Sequence, residues 1–483
     1  MYSFVCLRRR KESGKMKNDR MVFTVVMSVV IAFSPLSSLS DTLRQTMTDA
    51  YNNSGLLQQN RALLRAADED VAVAAALLRG VLNWTAEVKS TRADSRTSSS
   101  LGTLNSDITT NVANLGITAS ITLYDGGQNK FALSAAKEAV LSTRQSLLDV
   151  EQKVLFSSVE AFMNVRRAGK TVTLRENNLT VIQEELRAVK DRFDVGEVTK
   201  TDVALAEARL AASISALAAA KGSLAQRREI FKQAVGKDAG AIKTPRSLPK
   251  LPKSAKTVKA VAVRSHPEMI ALQHNIKQAE YNVQRARSAL KPIVGLSSSL
   301  GYSEMEGNDY RQSANISLSA SSTIYSGGRI PALIRKAMAQ RDAQRSSLHL
   351  TRLRLEQQAG SAFALLQMAQ AGRKASEEQI RASRVAFEGI REEAKVGSRT
   401  TLDVLNAEQE LLDAQAGLIS SEADEYIAAY RVLAQMGKLN VEILNLPVQK
   451  YDPIEYYNLV KTAPSVISQR GSKLDRVLKA LSK

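Results

Sequence analysis

The chain is expected to be mostly α-helical with a small set of membrane β-strands, built as a duplicated unit. Three observations predict this. First, two stretches repeat each other at a spacing of 201 residues: Arg192–Val203 (RFDVGEVTKTDV) and Glu393–Val404 (EAKVGSRTTLDV). The corner Tyr124-Asp125-Gly126-Gly127 returns as Tyr325-Ser326-Gly327-Gly328 at the same spacing. A repeat of this length implies one supersecondary unit used twice. Second, Asn129–Val195 holds no proline and one glycine, so as one helix it would run about 100 Å. Third, short segments between helical stretches switch from a period near 3.6 to strict alternation.

Taken in order, Asp41–Arg79 reads as helix, with Leu56, Leu63, Leu64, Val71, Ala74 and Leu78 at helical spacing. Val81–Lys89 then alternates: Leu82, Trp84, Ala86 and Val88 are apolar, while Asn83, Thr85, Glu87 and Lys89 are polar. That pattern marks a strand with one apolar and one wet face. Thr91–Asp107, rich in Ser, Thr and Asn, reads as a loop. A second strand follows, with Leu115, Ile117, Ala119, Ile121 and Leu123 on one face. The second repeat has the same order: helix over Val258–Lys291, strand alternation from Val294 to Tyr302, a loop around Glu304–Arg311, and a strand through Ile316 and Leu318. Gly80 and Pro292 stop the helices ahead of the strands. Each Tyr-x-Gly-Gly corner opens a long helix, the Val-Gly pairs turn the chain back, and the returning helices end near Gly236 and Gly437. Helices this long need neighbours, because packing supplies most of their stability.

The resulting layout is a leader over residues 1–40, a first repeat over 41–245, a Pro-rich connector over 246–257, a second repeat over 258–445 and an extension over 446–483. Residues 468–483 are basic and expected to be loosely ordered. The leader has a basic stretch, the apolar run Met21–Phe33 and small residues suited to cleavage before Asp41. The run is too short to span a bilayer comfortably. Cys6, the only cysteine, lies upstream of that run, so it cannot serve as a lipid-anchored cysteine at the cleavage site. The chain is read as exported, unlipidated and free of disulfides.

The formal charge is +19; seven Lys/Arg and two acids in residues 1–40 account for five of it, leaving +14. No compact Lys/Arg block with interleaved aromatics accompanies that charge, so it reads as a solvated helical surface and not as a nucleic-acid site. His266, His274 and His349 lack metal-ligand spacing. The glycine pairs lack the Gly-Lys-Ser/Thr of a phosphate cradle. No catalytic constellation, cofactor or metal is expected, and neither is enzyme activity.

Four strands with one apolar face match outer-membrane strands, yet four cannot close a barrel. An open edge in lipid strands backbone donors and acceptors at several kcal/mol each. Other copies must complete the barrel: two would give eight strands and a filled interior, three would give twelve and room for a lumen. A soluble sheet packed on helices would not explain the long hairpins or the leader.

The Val-Gly and Asp-Val motifs, the two Tyr-x-Gly-Gly corners, Ser265-His266-Pro267-Glu268 and Leu402-Asp403-Val404-Leu405-Asn406-Ala407-Glu408 resemble the TolC family of outer-membrane channel proteins. Tyr451-Asp452-Pro453-Ile454-Glu455-Tyr456-Tyr457 resembles the ending of α-proteobacterial efflux members. The resemblance covers nearly the whole chain after the leader. It implies a homotrimer in outer-membrane lipid, with a 12-stranded barrel above an α-helical barrel that crosses the periplasm. It also implies a passive exit duct for efflux or type I secretion, coupled through a periplasmic adaptor to an inner-membrane transporter. The alternatives are a dedicated protein or polysaccharide export channel and, in another class, a periplasmic coiled-coil scaffold, which would need no lipid-facing alternation.

Site residues are expected at the Val-Gly turns. Asp403 and Asn406 are one turn apart on one face. In a trimer with that face inward they form rings, where adjacent carboxylates raise one another's pKa and attract cations. The family carries carboxylates at both positions, so Asn406 implies weaker cation selectivity. Arg399 is expected to reach Thr201 and Asp202 of the neighbouring hairpin, matching a family gate contact. The plainer reading is that Asp202 and Asp403 sit in the first helical turn and favour the helix dipole. Val195, Gly196, Val396 and Gly397 would meet the adaptor by the same resemblance.

Overall fold

The computed structural model describes residues 41–481 apart from 101, 246, 306–308 and 466–467. The expected leader, with Cys6, lies outside the described residues. The element order is α1 (Leu43–Asn53), α2 (Gly55–Ala76), β1 (Val81–Ser99), β2 (Gly102–Tyr124), α3 (Gln128–Asp194) and α4 (Lys200–Val235). The second half follows with α5 (Ala255–Ser265), α6 (Pro267–Ser288), β3 (Ile293–Met305), β4 (Asp309–Ser321), α7 (Arg329–Lys395) and α8 (Thr401–Gln435). Two short helices, α9 (Glu455–Val460) and α10 (Gln469–Leu481), close the chain.

Two helices expected to be continuous are broken. Asn52-Asn53-Ser54-Gly55 is turn chemistry, and the Ser54 hydroxyl accepts from the Leu57 amide at 3.2 Å to start α2 afresh. His266 is extended (φ −67°, ψ 129°) because it precedes Pro267, so α5 stops and α6 begins there. Residues 469–481, expected to be loose, form α10. Its Leu474 is buried with Ala72, Tyr456 and Val460.

The sheet is antiparallel throughout, in the order β1-β2-β3-β4. Its register aligns apolar rows across strands: Trp84 opposes Ile117, Ile117 opposes Leu300, and Leu300 opposes Ala314. On the other face Thr85 opposes Gly116, which opposes Gly301, which opposes Ser313. A Cβ on Gly116 would come within 2.9 Å of the Thr85 hydroxyl, so the crowded polar face uses the missing side chain. The apolar row is bare: Leu82, Trp84 and Val88 are 73%, 76% and 86% exposed, and Ala86 is exposed with them.

The strands exceed the expected length. Thr91–Asp107, read as a loop, continues the β1–β2 ladder down to Ser99 opposite Gly102. Beyond Val88 both faces become polar, with Arg92 on Asp107 at 2.6 Å. The backbone ladder persists, but side-chain alternation, the only sequence signal for it, is lost where both faces meet water. Likewise the loop expected around Glu304–Arg311 shrinks at both ends, since β3 runs to Met305 and β4 starts at Asp309.

Each glycine pair turns from strand to helix with positive φ (67° and 91° at Gly126 and Gly127, 61° and 83° at Gly327 and Gly328). In the first corner the Asp125 carboxylate accepts from the amides of Gly127 (2.9 Å) and Asn129 (2.7 Å), capping α3. The helices share a buried cluster at mid-height, where Leu155, Val159, Phe162 and Met163 of α3 meet Leu57 and Leu64 of α2, Phe231 of α4, and Val432 and Met436 near the end of α8. Helix α3 is central, touching α1, α2, α4, α6 and α8; α7 packs on α5, α6 and α8. Helices α4 and α7 therefore lie at opposite edges, as β1 and β4 do in the sheet.

A candidate gate at the hairpin tips

Each tip is a tight helix C-terminus. Gly196 (φ 81°) and Gly397 (φ 78°) take the left-handed conformation. The next amide reaches back to a carbonyl in the last turn: Glu197 to Arg192 at 2.9 Å, Ser398 to Glu393 at 3.0 Å. Val195 and Val396 stand out at 71% and 81% exposure.

The returning helices start with reciprocal caps. Thr199 donates its amide and hydroxyl to Asp202 Oδ2 at 2.9 and 2.7 Å, and the Asp202 amide donates back to the Thr199 hydroxyl. Thr400 and Asp403 repeat this at 3.0 and 2.8 Å. These bonds hold both aspartates below the usual carboxylate range: Asp202 chiefly through the Thr199 hydroxyl and then its amide, Asp403 chiefly through the Thr400 amide and then its hydroxyl. Within one chain, therefore, the Asp403 pKa moves opposite to the expected direction, because local donors face it. The helix-start reading of Asp202 and Asp403 is what the geometry displays.

Arg399 also bonds locally. Its Nε donates to Glu393 Oε2 at 2.7 Å, and no bond joins it to Thr201 or Asp202 among the described residues of this chain. The first tip also carries a local ion pair, Arg192 Nε donating to Glu197 at 3.1 Å, although Glu197 aligns with Ser398 and Arg399 with Val198. Thr201 is exposed. Asn406, instead of standing beside Asp403 as a free amide, accepts from Arg209 of α4 at 3.1 Å. That bond ties the two hairpins together.

Sequence reading missed Arg209 and Glu408. Glu408 lies on the buried stripe of α8 between Leu405 and Leu412 and is itself 6% exposed. A charged residue at an apolar helical position was the available signal. Beside the tip, a cleft of about 300 Å³ is lined by Glu185, Val189, Arg391, Ala394 and Val404. Among the described residues, no group of His, Cys, Asp or Glu could hold a metal ion.

The family model for outer membrane efflux proteins matches residues 47–237 and 260–438. The chain belongs to that family. Each matched span contains one strand pair and one long hairpin. The outer membrane efflux protein BepC of Brucella suis is 33% identical over 428 residues, 88% of this chain and 91% of BepC. Outer membrane protein TolC of Vibrio cholerae is 21% identical over 429 residues, 85% of this chain and 94% of TolC. The Campylobacter jejuni CmeC outer membrane channel superposes with a TM-score of 0.73 at 16% identity, covering 88% of this chain and 90% of that one. At that identity the likeness establishes the fold. The resemblance read from the Val-Gly and Gly-Gly motifs is thereby confirmed, and so is the location: the outer membrane, with the helical hairpins extending into the periplasm.

Proposed function

We propose that the protein is a passive exit duct for efflux, closed as a homotrimer and coupled through a periplasmic adaptor to an inner-membrane transporter. One observation carries this reading. The unpaired strand edges, β1 and β4, and the helices with uncovered faces, α4 and α7, lie at the two edges of the same chain. A ring of copies that pairs β4 with the next β1 sets α7 beside the next α4. Helix α4 is apolar by composition yet buries only Ala206, Ser213, Phe231 and Val235, and a neighbouring copy would cover the rest. Three copies give twelve strands and a lumen, whereas two would fill the bore with side chains. The row Leu82, Trp84, Ala86 and Val88 then faces lipid. Residues 41–245 and 258–445 act as two repeats of one wall, joined by 246–257, with no chemistry of their own.

In this assembly Val195, Gly196, Val396 and Gly397 form the rim that meets the adaptor. Asp403 and Asn406 ring the constriction. Arg399 exchanges Glu393 for Thr201 and Asp202 of the adjacent copy, latching the tip. Planar-bilayer conductance tests the latch: Arg399→Ala and Asp202→Ala each raise open probability several-fold, and unchanged conductance in both variants rejects it. A deletion strain tests the cargo: its drug susceptibility rises while its secreted proteins are unaltered, and the reverse pattern would make the protein a secretion duct.

A further inference from the structure

Glu408 lies little more than one turn beyond Asp403, and the capping and latch contacts do not use it. Its Oε1 accepts from Asn178 Nδ2 of α3 at 2.8 Å, and Asn178 Oδ1 accepts from the Ser213 hydroxyl of α4 at 3.2 Å. The other oxygen, Oε2, is buried without a hydrogen-bond partner among the described residues. One carboxyl group thus joins three helices drawn from both hairpins. The cations facing it are engaged elsewhere: Arg209 of α4 with Asn406, and Arg391 of α7 with Glu185 of α3 at 3.3 Å. Glu185 adds like charge from α3. On α8 itself the neighbouring side chains are Leu411, Leu412 and Gln415, and Leu174, Val181 and Phe387 complete the surrounding groove. A carboxylate in such a place is costly when ionised and comfortable when neutral. Burial, with Glu185 assisting, pushes its pKa up to about 7 against the opposing Asn178 bond and the two arginines.

We propose that Glu408 is a proton-controlled positioning residue that pins the second hairpin to the first. With a proton taken from periplasmic water, the neutral acid lets α8 seat against α3 and holds the tip closed. Once ionised, it weakens that seam and favours opening. The inference rests on the gate reading above, since tip opening must part α8 from α3.

The sign follows from the direction of the shift. The packed seam raises the carboxyl pKa above its value of 4.5 in water, so packing is most favourable below that value. It weakens as pH rises through about 7. Each pKa unit separating packed from parted seams changes the closed-to-open ratio by a factor of about 10.

Single-channel recording of the full-length protein tests this. From about pH 5 to about pH 8, wild-type open probability rises about tenfold or more. Glu408→Gln, a permanent mimic of the neutral acid, stays closed and insensitive to pH. Asn178→Asp sets a second carboxylate against Glu408 and moves the wild-type response to higher pH. A flat wild-type profile, a pH response retained in Glu408→Gln, or a shift to lower pH in Asn178→Asp overturns the proposal. Arg399→Ala and Asp202→Ala read the latch separately: if both leave the tip shut at both pH values, the gate reading fails. If either opens the tip while Glu408→Gln keeps the wild-type profile, only the Glu408 proposal fails.

Discussion

Helices α3 and α7 are both 67 residues long, and each runs from a Gly-Gly corner to a Val-Gly tip. Their surroundings differ. Eighteen residues of α3 are buried, against nine of α7. At positions 201 apart, the fully buried Leu155 and Met163 are matched by Glu356, which pairs with Arg352 at 3.0 Å, and by exposed Ala364. Duplication therefore set the length and ends of the helices but not their burial. One repeat's helix became the spine of the chain, and the other's became an edge. In an assembly that closes on itself, an edge helix keeps its free face for the next copy.

The largest effect that would break this comparison is on stability. Leu155→Ala, in the spine, should cost about 3 kcal/mol in thermal unfolding, while Glu356→Ala, at the edge, should change stability by less than about 0.5 kcal/mol. Equal losses would mean that α7 carries as much of the folded chain as α3. A smaller effect comes from charge buried beside the spine. Asp68 of α2 is fully buried, and neither oxygen has a hydrogen-bond partner among the described residues. Burial pushes its pKa up from 3.8 to about 6, against the attraction of Arg144 on α3. Because the folded pKa is raised, this site is most favourable below 3.8, and stability falls as pH rises through about 6. Asp68→Asn should remove that fall and raise neutral-pH stability by about 2 kcal/mol; parallel pH profiles of the melting temperature would reject it. The smallest effect concerns the tip. Asn406→Asp should raise cation over anion permeability about twofold, a modest gain because Arg209 sits against this position; reversal-potential measurements check it.

The repeat, the glycine corners, the tip turns and the exposed apolar row of the sheet were legible because each is written locally. Gly126, Gly196 and Gly397 mark positive φ, Thr400 and Asp403 spell a cap within four residues, and Leu82 to Val88 alternate within a single strand. The length of β1 and β2 was not legible, since Thr91–Asp107 is polar on both faces and only the backbone register extends the ladder. The break at Ser54 was written in Asn-Asn-Ser-Gly but was outweighed by the apolar period around it. Arg399 was legible as a tip cation, although its partner within the chain, Glu393, comes from the close of the preceding helix.

What the sequence determined by itself is the duplicated architecture and its membrane address, because backbone conformation and strand alternation depend on near neighbours. Tertiary structure alone decided which repeated helix is spine and which is edge. It also decided that Asn406 meets Arg209 and that Glu408 is buried against Asn178. Burial and desolvation are set by side chains brought together from distant parts of the chain, and no local spacing records them.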